Sequence, residues 1–263
     1  VTTLEPETTV ADITTTTAAT PSSVASTTEP GPATTAEGDP FRVLVFHETA
    51  GFRHGSIEAG VASLEELGGE GRFQVTATGD SSVFSVDGLD PFQVIVFLNT
   101  TGDVLDGAQQ EALEGFIASG KGFVGVHAAA DTEYDWPWYG ELIGAYFDRH
   151  PEPQEATVTF ADPGSHPITT GLPDTLQRFD EWYDFRSQPP AGATILATVD
   201  ESTYDGGTMG DPHPIVWSLE THGGRAVYLG FGHTAETYDE PAVRALLDNA
   251  VQWAASRTVR ESP

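Results

Sequence analysis

The chain of 263 residues carries 40 Asp and Glu against 11 Lys and Arg, a formal charge of −29, and no cysteine. So acidic a chain repels phosphate backbones and anionic headgroups, which excludes nucleic-acid and anionic-membrane partners, and without cysteine there is no disulfide, thiolate metal site or thiol nucleophile. No apolar run approaches the ~20 residues that span a bilayer, so no membrane insertion is expected.

Residues 1–40 are rich in Thr, Ala, Pro, Ser and Glu and contain no Lys, Arg or aromatic residue. Too little apolar surface is available there to offset ordering entropy, so a disordered linker is predicted. Such tracts read as stalks, which suggests an exported, extracytoplasmic protein whose leader has been removed. Residues 41–257 have the size of one domain, and 258–263 are expected to be a disordered terminus.

Within the domain, 42–47 reads as a first strand, followed by a helix through Ile57, Val61, Leu64 and Leu67 and a strand at 73–78. The run Gln93-Val94-Ile95-Val96-Phe97-Leu98 has the continuous β-branched character of a strand buried on both faces. A helix over 107–118 follows, stopped by Gly120, then a strand at 123–126. Further strands are predicted at 157–160, 194–199, 214–219 and 225–229, and a closing helix at 242–254. Strand–helix alternation predicts an α/β fold with an open, mostly parallel sheet, helices on both faces and an antiparallel extension in the strand-rich C-terminal half.

Ligands of such sheets bind at the carboxyl ends of the strands, and four histidines map there. His47 ends the first strand, His54 lies in the loop after it, His127 ends the fourth, and His233 follows the strand at 225–229. Neutral imidazoles ligate metals and exchange protons near pH 7. His222, His150 and His166 read as structural residues of turns and loops, and His213 ranks low as a site residue. The most informative segment is 122–131, where small residues flank His127 at a strand-to-helix turn, the surroundings of a nucleophile elbow. His127 is a candidate general base or metal ligand there, with strand capping as the alternative. Asp131, four residues on, is placed to orient His127 or to cap a helix.

Two further segments carry chemistry. If Asp180-Glu181-Trp182-Tyr183 is extended, Glu181 and Tyr183 face one way and Asp180 and Trp182 the other, making Glu181 and Tyr183 a candidate pair. A structural alternative is pairing of Asp180 or Glu181 with Arg178 or Arg186. Trp136, Trp138 and Tyr139 join His47 and His54 as substrate-binding candidates, because aromatic faces stack on sugar rings; ordinary core packing is the alternative.

The loop Phe52-Arg53-His54, the segment 120–127, Trp136-Pro137-Trp138-Tyr139, His150-Pro151, His166-Pro167-Ile168-Thr169, Asp180-Glu181-Trp182-Tyr183, Pro214-Ile215-Val216-Trp217 and Gly230-Phe231-Gly232-His233 occur in an order that resembles the trehalose-utilization (ThuA-like) family, over nearly all of 41–256. The resemblance implies a flavodoxin-like, class I glutamine amidotransferase-like fold. It also implies a carbohydrate partner, with a role in processing disaccharides and glycosides, particularly 3-keto forms. The tail and the acidity are outside the family pattern. Glutamine hydrolysis is excluded by the missing cysteine, and a flavodoxin-type electron carrier is disfavoured because no phosphate-cradling loop follows the first strand.

Two mechanisms fit these residues. In one, His54, His127 and His233, with Glu181, hold a divalent metal that polarises a sugar ketone or hydroxyl pair for elimination, isomerisation or hydrolysis. In the other, His127 and Glu181 move protons, Asp131 orients His127, and His233 or Tyr183 steadies the developing oxyanion. A reading from another class is a non-catalytic glycan-binding module of an exported protein.

Overall fold

The computed structural model describes residues 40–256, so the expectations for the Thr-rich segment and for 258–263 fall outside the described residues. In chain order the first half contains β1 (Phe41–Phe46), α1 (Ile57–Leu67), β2 (Phe73–Thr78), α2 (Val86–Leu89), β3 (Val94–Leu98), α3 (Gly107–Ala118), β4 (Gly122–Val126) and α4 (Pro137–Ile143). The second half contains β5 (Phe147–Arg149), β6 (Gln154–Phe160), β7 (Thr175–Asp180), β8 (Asp184–Phe185), β9 (Thr194–Val199), β10 (Pro214–Thr221), β11 (Gly224–Leu229) and α5 (Pro241–Ala255).

One sheet runs in the order β2-β1-β3-β4-β11-β10-β9-β6-β7. Pairing is parallel from β2 through β11 and antiparallel from β11 to β7, as the sequence pattern anticipates. β5 and β8 form a separate antiparallel pair. Strand alternation sends successive side chains to opposite faces. Val43 and Val45, with Val94, Val96, Val124 and Val227, meet Leu64 of α1 and Leu246, Leu247 and Ala250 of α5. Leu44 and Phe46, with Ile95, Phe97 and Phe123, meet Leu113, Phe116 and Ile117 of α3 and Tyr139 and Leu142 of α4. Both faces of the central strands are therefore covered, and each fully buried Leu or Val contributes roughly 1.5–3 kcal/mol.

Local chemistry sets the helix ends. Asp106 accepts from Ala108 and Gln109 N–H while the Gln109 side chain returns to Asp106 N, a capping box that starts α3. Ser56, just before α1, makes no such cap; its hydroxyl instead donates to Gly232 O at 2.7 Å and ties α1 to the loop after β11. Register aligns the strand ends: Leu98 pairs with Val126, and Val126 with Leu229. Asn99, His127 and Gly230 consequently emerge side by side on the carboxyl rim, and His54, Glu181 and His233 gather there with His127.

Candidate functional site

His127 follows β4 in a 3-10 turn, His127–Asp131, with a backbone φ of 47°. A non-glycine residue held at positive φ stores strain, which is the backbone character of an elbow. Two bonds hold it: Tyr228 Oη donates to His127 O at 2.9 Å, and His127 Nδ1 stands 3.3 Å from Gly230 O. A carbonyl only accepts, so Nδ1 carries the proton of this contact and Nε2 presents its lone pair to the rim.

His54 reaches the rim from the loop between β1 and α1. That loop is pinned to the segment after β3: Ala50 N and Gly51 N donate to Thr101 O at 2.8 and 3.2 Å, and Thr101 Oγ1 donates to Phe52 O at 2.8 Å. Asn99 Nδ2 adds bonds to Ser56 Oγ at 3.0 Å and Gly232 O at 3.1 Å, joining the loops after β1, β3 and β11. Gly232 adopts φ 142°, and a Cβ there would sit 3.0 Å from His127 Cβ and 2.9 Å from Tyr238 Oη. A side chain at this position would press on His127 and Tyr238.

Glu181, directly after β7, is the focus of the cluster. Its Oε2 lies 3.3 Å from His127 Nε2, 3.2 Å from His233 Nδ1 and 3.9 Å from His54 Nε2, while Oε1 lies 3.1 Å from His150 Nδ1. Burial opposes the Glu181 carboxylate, and the facing imidazoles of His127, His233 and His54 outweigh it, holding its carboxyl well below the usual range. Burial pushes the His54 pKa down, helped by His127 and His233 and opposed by Glu181. Contact with Glu181 pushes the His233 pKa up against a smaller desolvation effect. Burial also holds the Tyr183 phenol well above its ordinary value, reinforced by the Glu181 charge, so it is a proton donor at neutral pH.

The structure thus brings His54, His127, Glu181 and His233 together, with one donor atom from each within 4.8 Å of the others. Tyr183 joins them, its ring centroid 4.3 Å from that of His127. The alternation expected around Glu181 is present: Trp182 enters one core and Tyr183 the other. His150, which reads from sequence as structural, stands at the site, since the β5–β8 pair carries Phe147 and His150 against Tyr183 at 4.3 and 5.8 Å. Its signal, a histidine before proline in a loop, was too generic to single out.

Five expected residues lie elsewhere. Asp131 does not orient His127; its Oδ1 accepts from Tyr134 Oη at 2.6 Å, and the Gly230 carbonyl takes the orienting place. Tyr139 is a core residue, stacked on Phe97 and donating to Ala129 O at 2.7 Å. Trp136 is buried in the same core and stacks on Trp138, which stacks in turn on His222 of the β10–β11 turn, at the amino end of β11. These aromatics are held by packing rather than presented at the rim. His47 packs against Gly79 after β2 and, among the described residues, has no ring contact with His54, His127 or His233.

A sequence profile of the family described as trehalose utilisation matches residues 42–254. The chain belongs to the ThuA trehalose-utilisation family. Its fold is shared with a ThuA-like protein from Bacteroides uniformis, 24% identical with a TM-score of 0.70 over 85% of this chain and 95% of that one. A ThuA-like protein from Parabacteroides merdae is 21% identical with a TM-score of 0.69, covering 85% of this chain and 93% of that one. A cytoplasmic protein from Salmonella typhimurium is 15% identical with a TM-score of 0.60, over 82% and 99% of the two chains. No curated protein matches the sequence. In this ThuA-family domain the elbow after β4 presents His127, and the cluster around Glu181 occupies the rim where ligands of open α/β sheets bind.

Proposed function

We propose that this ThuA-family domain is an enzyme that processes glycosides or disaccharides, with 3-keto-glycosides as the favoured substrates, by proton transfer beside a carbonyl. One observation carries the reading: a buried, ionised carboxylate, Glu181, meets three imidazoles on one oxygen at the carboxyl rim of the sheet. His127, through its Nε2 lone pair, takes the proton from a carbon or hydroxyl next to the ketone, and the ionised Glu181 beside it steadies the imidazolium that forms. The protonated Tyr183 phenol supplies a donor to the developing oxyanion. Sugar contact on the outer side falls to Phe52, whose ring is 66% exposed and edge-on to His54 at 4.9 Å. Its loop is ordered by Thr101, so the ring is presented in a fixed place.

The test is direct incubation of the protein with 3-keto-glucosides and with the parent disaccharides, followed by NMR. Product formation by the wild type and its loss in Glu181→Gln support the reading. Binding without turnover, unchanged in His127→Ala, would instead identify a glycan-binding module.

A further inference from the structure

We propose that His54, His127, His233 and Glu181 bind a single divalent transition-metal ion of the zinc or manganese kind, with Glu181 Oε2 as the carboxylate donor. The starting observation is a mismatch between distance and direction. His127 Nε2 and His233 Nδ1 lie 3.3 and 3.2 Å from Glu181 Oε2, within hydrogen-bond range, yet both nitrogens are buried without a hydrogen bond. Buried nitrogens left in this way cost about 1–3 kcal/mol each unless something else engages them.

The spacing indicates what that is. A tetrahedral ion with bonds of about 2.0–2.1 Å holds its donors about 3.3–3.4 Å apart. The contacts of His127 and His233 with Oε2, at 3.3 and 3.2 Å, lie at and just inside that spacing, and the third, from His54 Nε2, is wider at 3.9 Å. One donor from each of the four residues falls within 4.8 Å of the rest. A carboxylate oxygen surrounded by imidazole nitrogens at these separations fits one small cation between them.

The surroundings have the form of an outer shell. Gly230 O takes the Nδ1 side of His127, leaving Nε2 for the ion. Asp180 Oδ1 accepts from His233 N at 3.0 Å and from Glu181 N at 2.9 Å, fixing two ligands through their backbone. Oε1 faces His150 at 3.1 Å while Oε2 is the oxygen that faces the three imidazoles, so Oε2 is the donor Glu181 turns to the ion. Three nitrogens and one oxygen suit a borderline cation, whereas calcium takes six to eight oxygens and magnesium an octahedron of them. The second cluster of Asp184, Glu201 and His213 differs because its groups are engaged within the protein: Glu201 Oε1 accepts from Met209 N and Gly210 N, and His213 Nε2 donates to Tyr183 O.

The experiment uses untagged full-length protein stripped with chelator, titrated calorimetrically with Zn2+, Mn2+ and Mg2+, and loaded with Co2+ for absorption spectroscopy. One equivalent of Zn2+ or Mn2+ is expected to bind, Mg2+ is not, and Co2+ should give the intense visible bands of a four-coordinate nitrogen and oxygen site. Glu181→Gln and His233→Gln, checked for wild-type circular dichroism, should weaken binding at least 100-fold and abolish the bands. A wild type that takes up well under one equivalent of any of these ions overturns the proposal, and so do variants that bind as the wild type does. The inference stands on the donor geometry alone: stoichiometric metal without sugar turnover retains it and removes the proposed reaction, while sugar turnover by a protein that takes up none of these ions does the reverse.

Discussion

The backbone N–H of His233 donates to Asp180 Oδ1 at 3.0 Å, while the His233 ring meets the very next carboxylate, Glu181, at 3.2 Å. Two consecutive acidic residues divide the work. Asp180 is fully buried and collects Gly232 N, Glu181 N, Thr237 Oγ1 and the Arg178 guanidinium at 3.2 Å, so it fastens the loop after β11 to the end of β7. Glu181 is left to face the rim.

Asp180→Asn leaves the buried Arg178 without its counter-charge and places an amide among donors. Removing one partner of a buried pair costs about 3–5 kcal/mol. The variant should unfold at a correspondingly lower urea midpoint and lose activity by displacing His233. Unchanged stability would show that Asp180 is not the fastener.

Tyr228→Phe removes the donor that meets the carbonyl of the strained His127. The carbonyl is then a buried acceptor without that partner, a loss of about 1–3 kcal/mol. Turnover should fall along with stability, because the elbow geometry depends on that bond. Denaturation midpoints and kcat measured on one preparation check both.

Phe52→Ala should leave stability within about 0.5 kcal/mol of the wild type, because the ring is exposed. Losing a stacking face worth about 0.5–1.5 kcal/mol should raise KM roughly 2- to 12-fold with little change in kcat. Phe52→Trp should restore KM. An unaltered KM in the alanine variant would remove Phe52 from the substrate path.

The metal-free protein should show two opposite pH dependences. His54 has its folded pKa pushed below its ordinary 6.5 by burial, so it is a neutral group in the native state; stability is full above 6.5 and is lost as pH falls through the folded value. His233 has its pKa raised from 6.5 by Glu181, so its contribution is full below 6.5 and is lost as pH rises through the folded value. His54→Gln should flatten the melting-temperature profile on the acid side, and His233→Gln on the alkaline side. Glu181 enters only in stronger acid: its depressed pKa makes its contribution complete above 4.5 and lost as pH falls below.

The fold was largely legible because the central strands are covered on both sides, which forces continuous apolar runs such as Val94–Leu98 and helices whose inner stripes stand out. Glycine at 120, with φ 89°, marked the end of α3 for the same local reason. β7, β5, β8 and α4 were not anticipated as elements. β5 and β8 are short, and their residues find partners across the chain, Phe147 against Phe185. Aromatics around Pro137 carry the same local pattern whether they pack or bind, and packing against Phe97 and Phe123 claimed Tyr139.

Residue types and their distance from strand ends were enough to nominate His54, His127 and His233, because the carboxyl rim of an α/β sheet collects whatever follows its strands. Glu181 was nominated instead by its alternation with Tyr183 in an Asp-Glu-Trp-Tyr run, with no strand expected before it. Long-range pairing settled the rest. His150 reaches Glu181 because β5 pairs with β8, and His127 is oriented by the Gly230 carbonyl rather than by Asp131. A backbone acceptor leaves no mark in a sequence, and a neighbour made by strand pairing carries no local signal. The absence of cysteine, read from the sequence, excludes thiol chemistry at the elbow; only the tertiary structure shows four imidazoles converging on one carboxylate beside it.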